Sequence, residues 1–156
     1  MKLFRVVVIV LIALTTFLLI KQYPIQNFLS RFSQKVEITE IQIESAKLFV
    51  ETASNETQWS HGLSNITELK ENNGMMFIFP TSERRSFWMK DTHIPLDLIW
   101  ISDNKIVGIV HMFPELAISE QALTRYYSPV PIDMTIETNL NWTERNNIKV
   151  GDIITK

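Results

Sequence analysis

"SFWMKDTHIPLDLIWIS", residues 86–102, contains the two readings on which the fold turns. Its last six residues, "DLIWIS" at 97–102, are apolar on both faces of an extended chain. A strand without a polar face has to be covered on both sides, so it belongs inside a sheet and not at a rim. The first part, "SFWM", alternates: Phe87 and Met89 point one way, Ser86, Trp88 and Lys90 the other. Between them stand Lys90, Asp91, Thr92, His93 and Pro95, residues that suit a tight corner.

Outward from this stretch the chain reads as short strands separated by turn residues. "DLIWIS" leads through "SDNK" into "IVGIVHMF", 106–113, a hairpin. Upstream, "VEIT" and "IQIE" alternate with a phase slip that predicts a bulge or two pieces. "KLFVETA", 47–53, follows as a strand, and "MMFIFP", 75–80, is a strand that Pro80 should end. Downstream, "IDMTIET", 132–138, is a strand, and "IKVGDIIT" is a last one bent at Gly151–Asp152. Two short helices are expected. Asn55 caps one, with Gln58 three residues on and Gly62 as the stop; Asn141 caps the other, with Glu144 three residues on. Residues 114–129 read as a loop. The expected class is mainly β, a β-rich α+β domain. It is a small antiparallel barrel or rolled sheet with one or two short helices, preceded by an N-terminal hydrophobic helix.

That helix is read from the amino terminus. Residues 1–5 are a basic head, and "VVVIVLIALTTFLLI", 6–20, is an apolar run closed by Lys21. This is the layout of an export signal or signal anchor, and no small-x-small pair follows for a peptidase. We expect an uncleaved transmembrane signal anchor over 6–21, in a single-pass protein of the cell membrane. Residues 22–36 are then an amphipathic juxtamembrane linker with Ile25, Phe28, Leu29 and Phe32 on one stripe. Membrane lipid is the expected partner of residues 6–32. A domain at 37–156 would stand outside the cytoplasm, in the periplasm or at the cell surface.

Charge excludes one class. The fifteen basic and seventeen acidic side chains are unevenly placed, with Lys2, Arg5, Lys21, Arg31 and Lys35 and no acid in residues 1–36. The remaining 120 residues therefore carry ten basic and seventeen acidic groups, a net charge of −7. Such a domain does not suit nucleic acid, whose binding rests on cationic contacts with phosphate. The absence of Cys removes disulfides, thiolate catalysis and thiolate zinc sites.

The pieces "GL" at 62–63, "GMMFIFP", "SFWMKDTHIPLDLIWI", "TIETN" and "IKVGDII" occur in this order over residues 47–156. In that order they resemble the domain-of-unknown-function family numbered 192. Phe87, Trp88, Met89, Lys90, Thr92, Pro95, Leu96 and Asp97 carry the central match. The chain departs from the family pattern with Asp91 in place of Asn, Ser64 in place of Met and Asn141 in place of a late Gly. The resemblance implies a small, mainly β, often exported domain and no agreed reaction.

The residues themselves offer a binding edge. Trp88 beside Lys90 and Arg84 or Arg85 makes an aromatic floor with a cationic wall, suited to an anionic, partly apolar ligand. The plainer alternative is a Trp lying flat over the core edge with Lys90 solvated. Asp91, Thr92 and Asp97 complete the candidate binding set. Asp97 is expected to accept backbone N–H groups of the "KDTHIP" corner, which Thr92 closes through its hydroxyl. A second reading makes Asp97 a catalytic acid with Lys90 or His93, in a hydrolase acting on an envelope substrate. His61, His93 and His111 are widely spaced and lie in no metal-binding motif, so neither a metal nor a cofactor is expected. The expected module binds a small anion, a glycan or an envelope protein.

Overall fold

The computed structural model describes residues 38–116 and 119–155. The expected anchor, linker and basic head lie outside them. Among the described residues, no helix is long and apolar enough to cross a membrane.

The described residues form nine strands in chain order: β1 (Ile38–Ile43), β2 (Ala46–Ala53), β3 (Asn73–Glu83), β4 (Ser86–Phe87), β5 (Leu96–Ser102), β6 (Lys105–Met112), β7 (Tyr126–Tyr127), β8 (Ile132–Asn139) and β9 (Ile154–Thr155). Two short helices, α1 (Glu56–His61) and α2 (Trp142–Arg145), and a 3-10 turn at Glu120–Ala122 join them. Seven strands make one sheet in the order β6-β5-β8-β3-β2-β1-β9, and β4 pairs with β7 apart from it. The large sheet curls until its two edges meet. Lys105 on β6 bridges Ile153 just before β9, and the Ile154 amide donates to the Asn104 carbonyl at 2.8 Å.

"DLIWIS" occupies the place its composition demands. β5 lies between β6 and β8, and Leu96 to Ile101 are all buried. Its alternation feeds two cores. Ile99 and Ile101 join Ile41, Ile43, Leu48, Val50, Met76 and Ile136 in a cluster on the concave side. Leu96, Leu98 and Trp100 join Phe77, Phe79, Met89, Met112 and Ile132 on the convex side. The chain segments around α1 and β4 cover that second cluster, with Leu63, Trp59 and Phe87 packed against it. At roughly 1.5–3 kcal/mol per fully buried large apolar side chain, these clusters dominate the stability of the fold.

Several expectations are corrected. β1 is one uninterrupted strand: Ile41 and Ile43 keep the buried phase, and Ile38 simply faces outward. β3 continues past Pro80 to Glu83, because the register with β8 breaks between Ile78 and Glu83 and leaves Pro80 without a ladder bond to supply. One pair, β2 with β3, is parallel, and the connection between them carries α1. "SFWM" contributes only two strand residues, and the last strand begins only at Ile154, after a turn in which the Lys149 amide donates to Asp152. Asn55 caps α1 as expected, accepting from the Gln58 amide, and Gly62 ends it at φ 50°. Asn141 does not cap α2 through its side chain. It adopts φ 62°, a left-handed conformation that Asn tolerates, and the cap comes from another strand.

Candidate functional site

The cap is Asp97. Its carboxylate is fully buried and accepts from the Asn141 amide at 2.9 Å, the Thr143 amide at 2.9 Å and the Thr143 hydroxyl at 2.6 Å. His111 Nδ1 lies 2.7 Å away on the neighbouring strand β6. Asp97 is therefore a corner residue, but of a different corner. It ties β5 and β6 to the start of α2, and does not bond the "KDTHIP" amides. Its partners are Asn141, Thr143 and His111, so the structure does not join it to Lys90 or His93. The "KDTHIP" corner closes on itself: the Thr92 amide and hydroxyl donate to the Met89 and Lys90 carbonyls, each at 3.2 Å. Asp91 there has φ 52° and an exposed side chain, and its carbonyl accepts from the Asn65 amide at 2.7 Å. Both Asp and Asn tolerate that backbone, which accounts for either residue at this position without a chemical duty for the carboxylate. His93 is exposed on the same corner.

Other candidates do meet. A cleft of about 330 Å³ opens on the convex side, lined by Arg84, Arg85, Trp88, Lys90 and Thr92. α1 and its end contribute Trp59, His61 and Gly62; β3 contributes Phe77 and Phe79; β4 contributes Phe87. Arg125, beside β7, closes the cleft over Trp88, its guanidinium 3.4 Å from the ring centre. Lys90 Nζ is 5.8 Å from the same ring. Arg85 lies 3.9 Å over Phe79 and donates to the Thr81 carbonyl at 3.1 Å, while its buried Nε has no partner among the described residues. Arg84 reaches the Ser128 carbonyl at 3.2 Å. Lys90 is ion-paired with Glu120, and that hydrogen bond, followed by the charge of Glu120, raises its pKa above the ordinary lysine value.

At the floor is a residue that alternation alone does not single out. Glu137 on β8 is 5% exposed, and its carboxyl, which forms no hydrogen bond among the described residues, opens onto the cleft. Burial alone pushes its pKa from 4.5 to about 8. Its place follows from register: on β8 it faces Met75 of β3 and Leu98 of β5, on the side opposite Ile136. Gly62 lies over it. A Cβ there would stand 3.9 Å from Glu137 Oε2 and 3.6 Å from the Phe77 ring. In the sequence Asp133, Thr135 and Glu137 look like the solvent face of an alternating strand. The signal that corrects this is β5: a neighbour buried on both faces implies that β8 is covered on both faces too. Arg125 and Glu120 carry no signal, because they lie in the stretch that reads as a loop. Among the described residues, no three His, Asp or Glu stand close enough to hold a metal ion.

The family model named DUF192, described as an uncharacterized ACR, matches residues 38–156. The chain belongs to the DUF192 family. The sequence pieces that resemble DUF192 converge on this cleft: Gly62, Phe77, Phe79, Trp88 and Glu137 come from four of them. A solved protein of unknown function from Novosphingobium aromaticivorans is similar at 25% identity and a TM-score of 0.69, over 80% of this chain and 89% of that one. A Sinorhizobium meliloti structure described as "a putative transcription regulator" is similar at 25% identity and a TM-score of 0.68, over 78% of this chain and 95% of that one. No curated protein matches the chain.

Proposed function

We propose that residues 37–156 are a binding module for a small anionic, partly apolar ligand, carried outside the cytoplasm on the amino-terminal anchor. One observation supports this above the others: Arg84, Arg85 and Arg125 border a single cleft whose walls are the rings of Trp59, Phe79, Phe87 and Trp88. Guanidinium groups hold carboxylate or phosphate through paired N–H donors, and aromatic walls take the apolar remainder of the ligand. Lys90 contributes less free charge, being already paired with Glu120. Transcriptional regulation, the description given to the Sinorhizobium protein, does not carry over, because this domain has a net charge of −7. The apolar run at 6–20 is the support for the anchor.

The test is titration of the full chain, in mild detergent, with a panel of small carboxylates and phosphates. Binding of at least one acid, weakened about tenfold or more by Trp88→Ala and by Arg125→Ala, is the expected result. A Trp88→Ala protein that binds every acid as the wild type does sinks the reading. Protease protection of the domain in intact cells, lost on permeabilising the outer surface, is the expected result for the anchor. Cleavage only after lysis of the inner membrane is the opposing one.

A further inference from the structure

An anion alone leaves the cleft incomplete. Its arginines would be satisfied, but a ligand filling the cleft would shut water away from the Glu137 carboxyl beneath Gly62, which has no hydrogen-bond partner among the described residues. Leaving a buried polar group unpaired is unfavourable, so the ligand that fits best brings a group for that carboxyl as well. Burial keeps Glu137 protonated near neutral pH. A protonated carboxyl offers one donor and one acceptor, the complement of a hydroxyl. An ammonium group suits the site less well, since the same cleft presents the guanidinium groups of Arg84, Arg85 and Arg125. The volume of about 330 Å³ is at the small end of ligand pockets, room for one ring and not an extended chain.

We infer that the cleft takes an acidic sugar, a single hydroxylated ring bearing one anionic group. Its hydroxyls meet Glu137, its anion meets Arg84 and Arg125, and its apolar face lies against the aromatic walls. This rests on the anion-binding reading above and deepens it. A free sugar acid and the acidic end of a glycan share this chemistry.

Calorimetry on the full chain in detergent with glucuronate, methyl glucuronide, glucose, benzoate and inorganic phosphate separates the cases. Glucuronate should bind at least about tenfold more tightly than benzoate, which lacks hydroxyls, and than glucose, which lacks the anion. Methyl glucuronide binding as well as glucuronate points to a glycan terminus; its exclusion points to the free acid; both accord with the inference. Glu137→Leu, which removes both the donor and the acceptor that a Gln amide would retain, should weaken glucuronate and leave benzoate unchanged. Benzoate matching glucuronate on the wild-type protein, or a folded Glu137→Leu that binds glucuronate normally, overturns the sugar while leaving the anion cleft standing. Failure of every acid to bind overturns both. The wild-type comparison decides even where Glu137→Leu does not fold.

Discussion

Glu137 and Asp97 are both buried acids, yet they are buried to opposite ends. Asp97 has donors on every side, from Asn141, Thr143 and His111, and is therefore architecture. Replacing it by Asn turns an acceptor into a group that presents N–H to other N–H donors. Asp97→Asn should lower the unfolding free energy by about 3–5 kcal/mol, measured by denaturant titration. A loss below about 1 kcal/mol, as at an ordinary surface site, would show that the corner does not depend on the carboxylate. Among the described residues Glu137 has no such donors, and its raised pKa has a consequence for stability. The folded state holds a proton that the unfolded state releases above 4.5, so Glu137's contribution is full below pH 4.5 and is lost as pH rises through about 8. The whole effect is on the order of 5 kcal/mol. His61, Arg84, Arg85, Lys90 and Arg125 share the cleft and moderate it. The melting temperature of the wild type should therefore fall between about pH 5 and 9, and that of Glu137→Gln should fall less. Parallel profiles for the two proteins would contradict the burial of an unpartnered carboxyl.

Among the elements, the β3–β8 pair positions the cleft floor, and Gly74 is what lets the two strands approach. A Cβ at Gly74 would lie 2.5 Å from the Glu137 carbonyl oxygen, a backbone atom that cannot swing aside. Gly74→Ala should thus destabilise by about 1–3 kcal/mol and weaken ligand binding together, because the displaced strand carries Glu137. Unchanged stability would mean that the strands separate freely there. The β5–β6 hairpin is legible in the amino-acid sequence. Asp103 and Asn104 both take positive φ, as the two-residue turn between apolar strands requires. α2 is legible as a helix, but not in its capping. Asn141 has the residue type of a cap, while the carboxylate that does the capping lies forty-four residues earlier. Pro80 misleads for a related reason: whether a proline ends a strand depends on whether a neighbour needs its N–H, and at the break between Ile78 and Glu83 none does.

For the molecule as a whole, the curled sheet places β5, β8 and β3 side by side, with cores on both faces. β4 and β7, which pair only over Ser86–Phe87 and Tyr126–Tyr127, stand apart and bear one rim of the cleft. Hydrogen exchange should be slowest in β5, β8 and β3, and fastest in β4, β7 and the 3-10 turn, where opening does not disturb either core. Slow exchange in β4 and β7 matching that of β5 would show that the rim is part of the cooperative core. Ligand in the cleft should slow the rim selectively, since Arg84, Arg85 and Arg125 lie in or beside these segments.

The alternation of apolar side chains and the placing of turn residues are enough, from the sequence alone, to identify a small β-rich domain, its hairpin, the first helix and its cap, and the family. These are local properties, decided within a few residues by backbone preference and burial. Only the tertiary structure decides which polar residues meet. It takes Asp97 away from its own corner to the start of α2, and leaves Asp91 and His93 at the surface. It brings Arg84, Arg85, Trp88 and Lys90 into one cleft with Arg125 and Glu137. Those meetings depend on strand register and on which face of β8 is covered, and both are set by contacts between residues far apart in the chain.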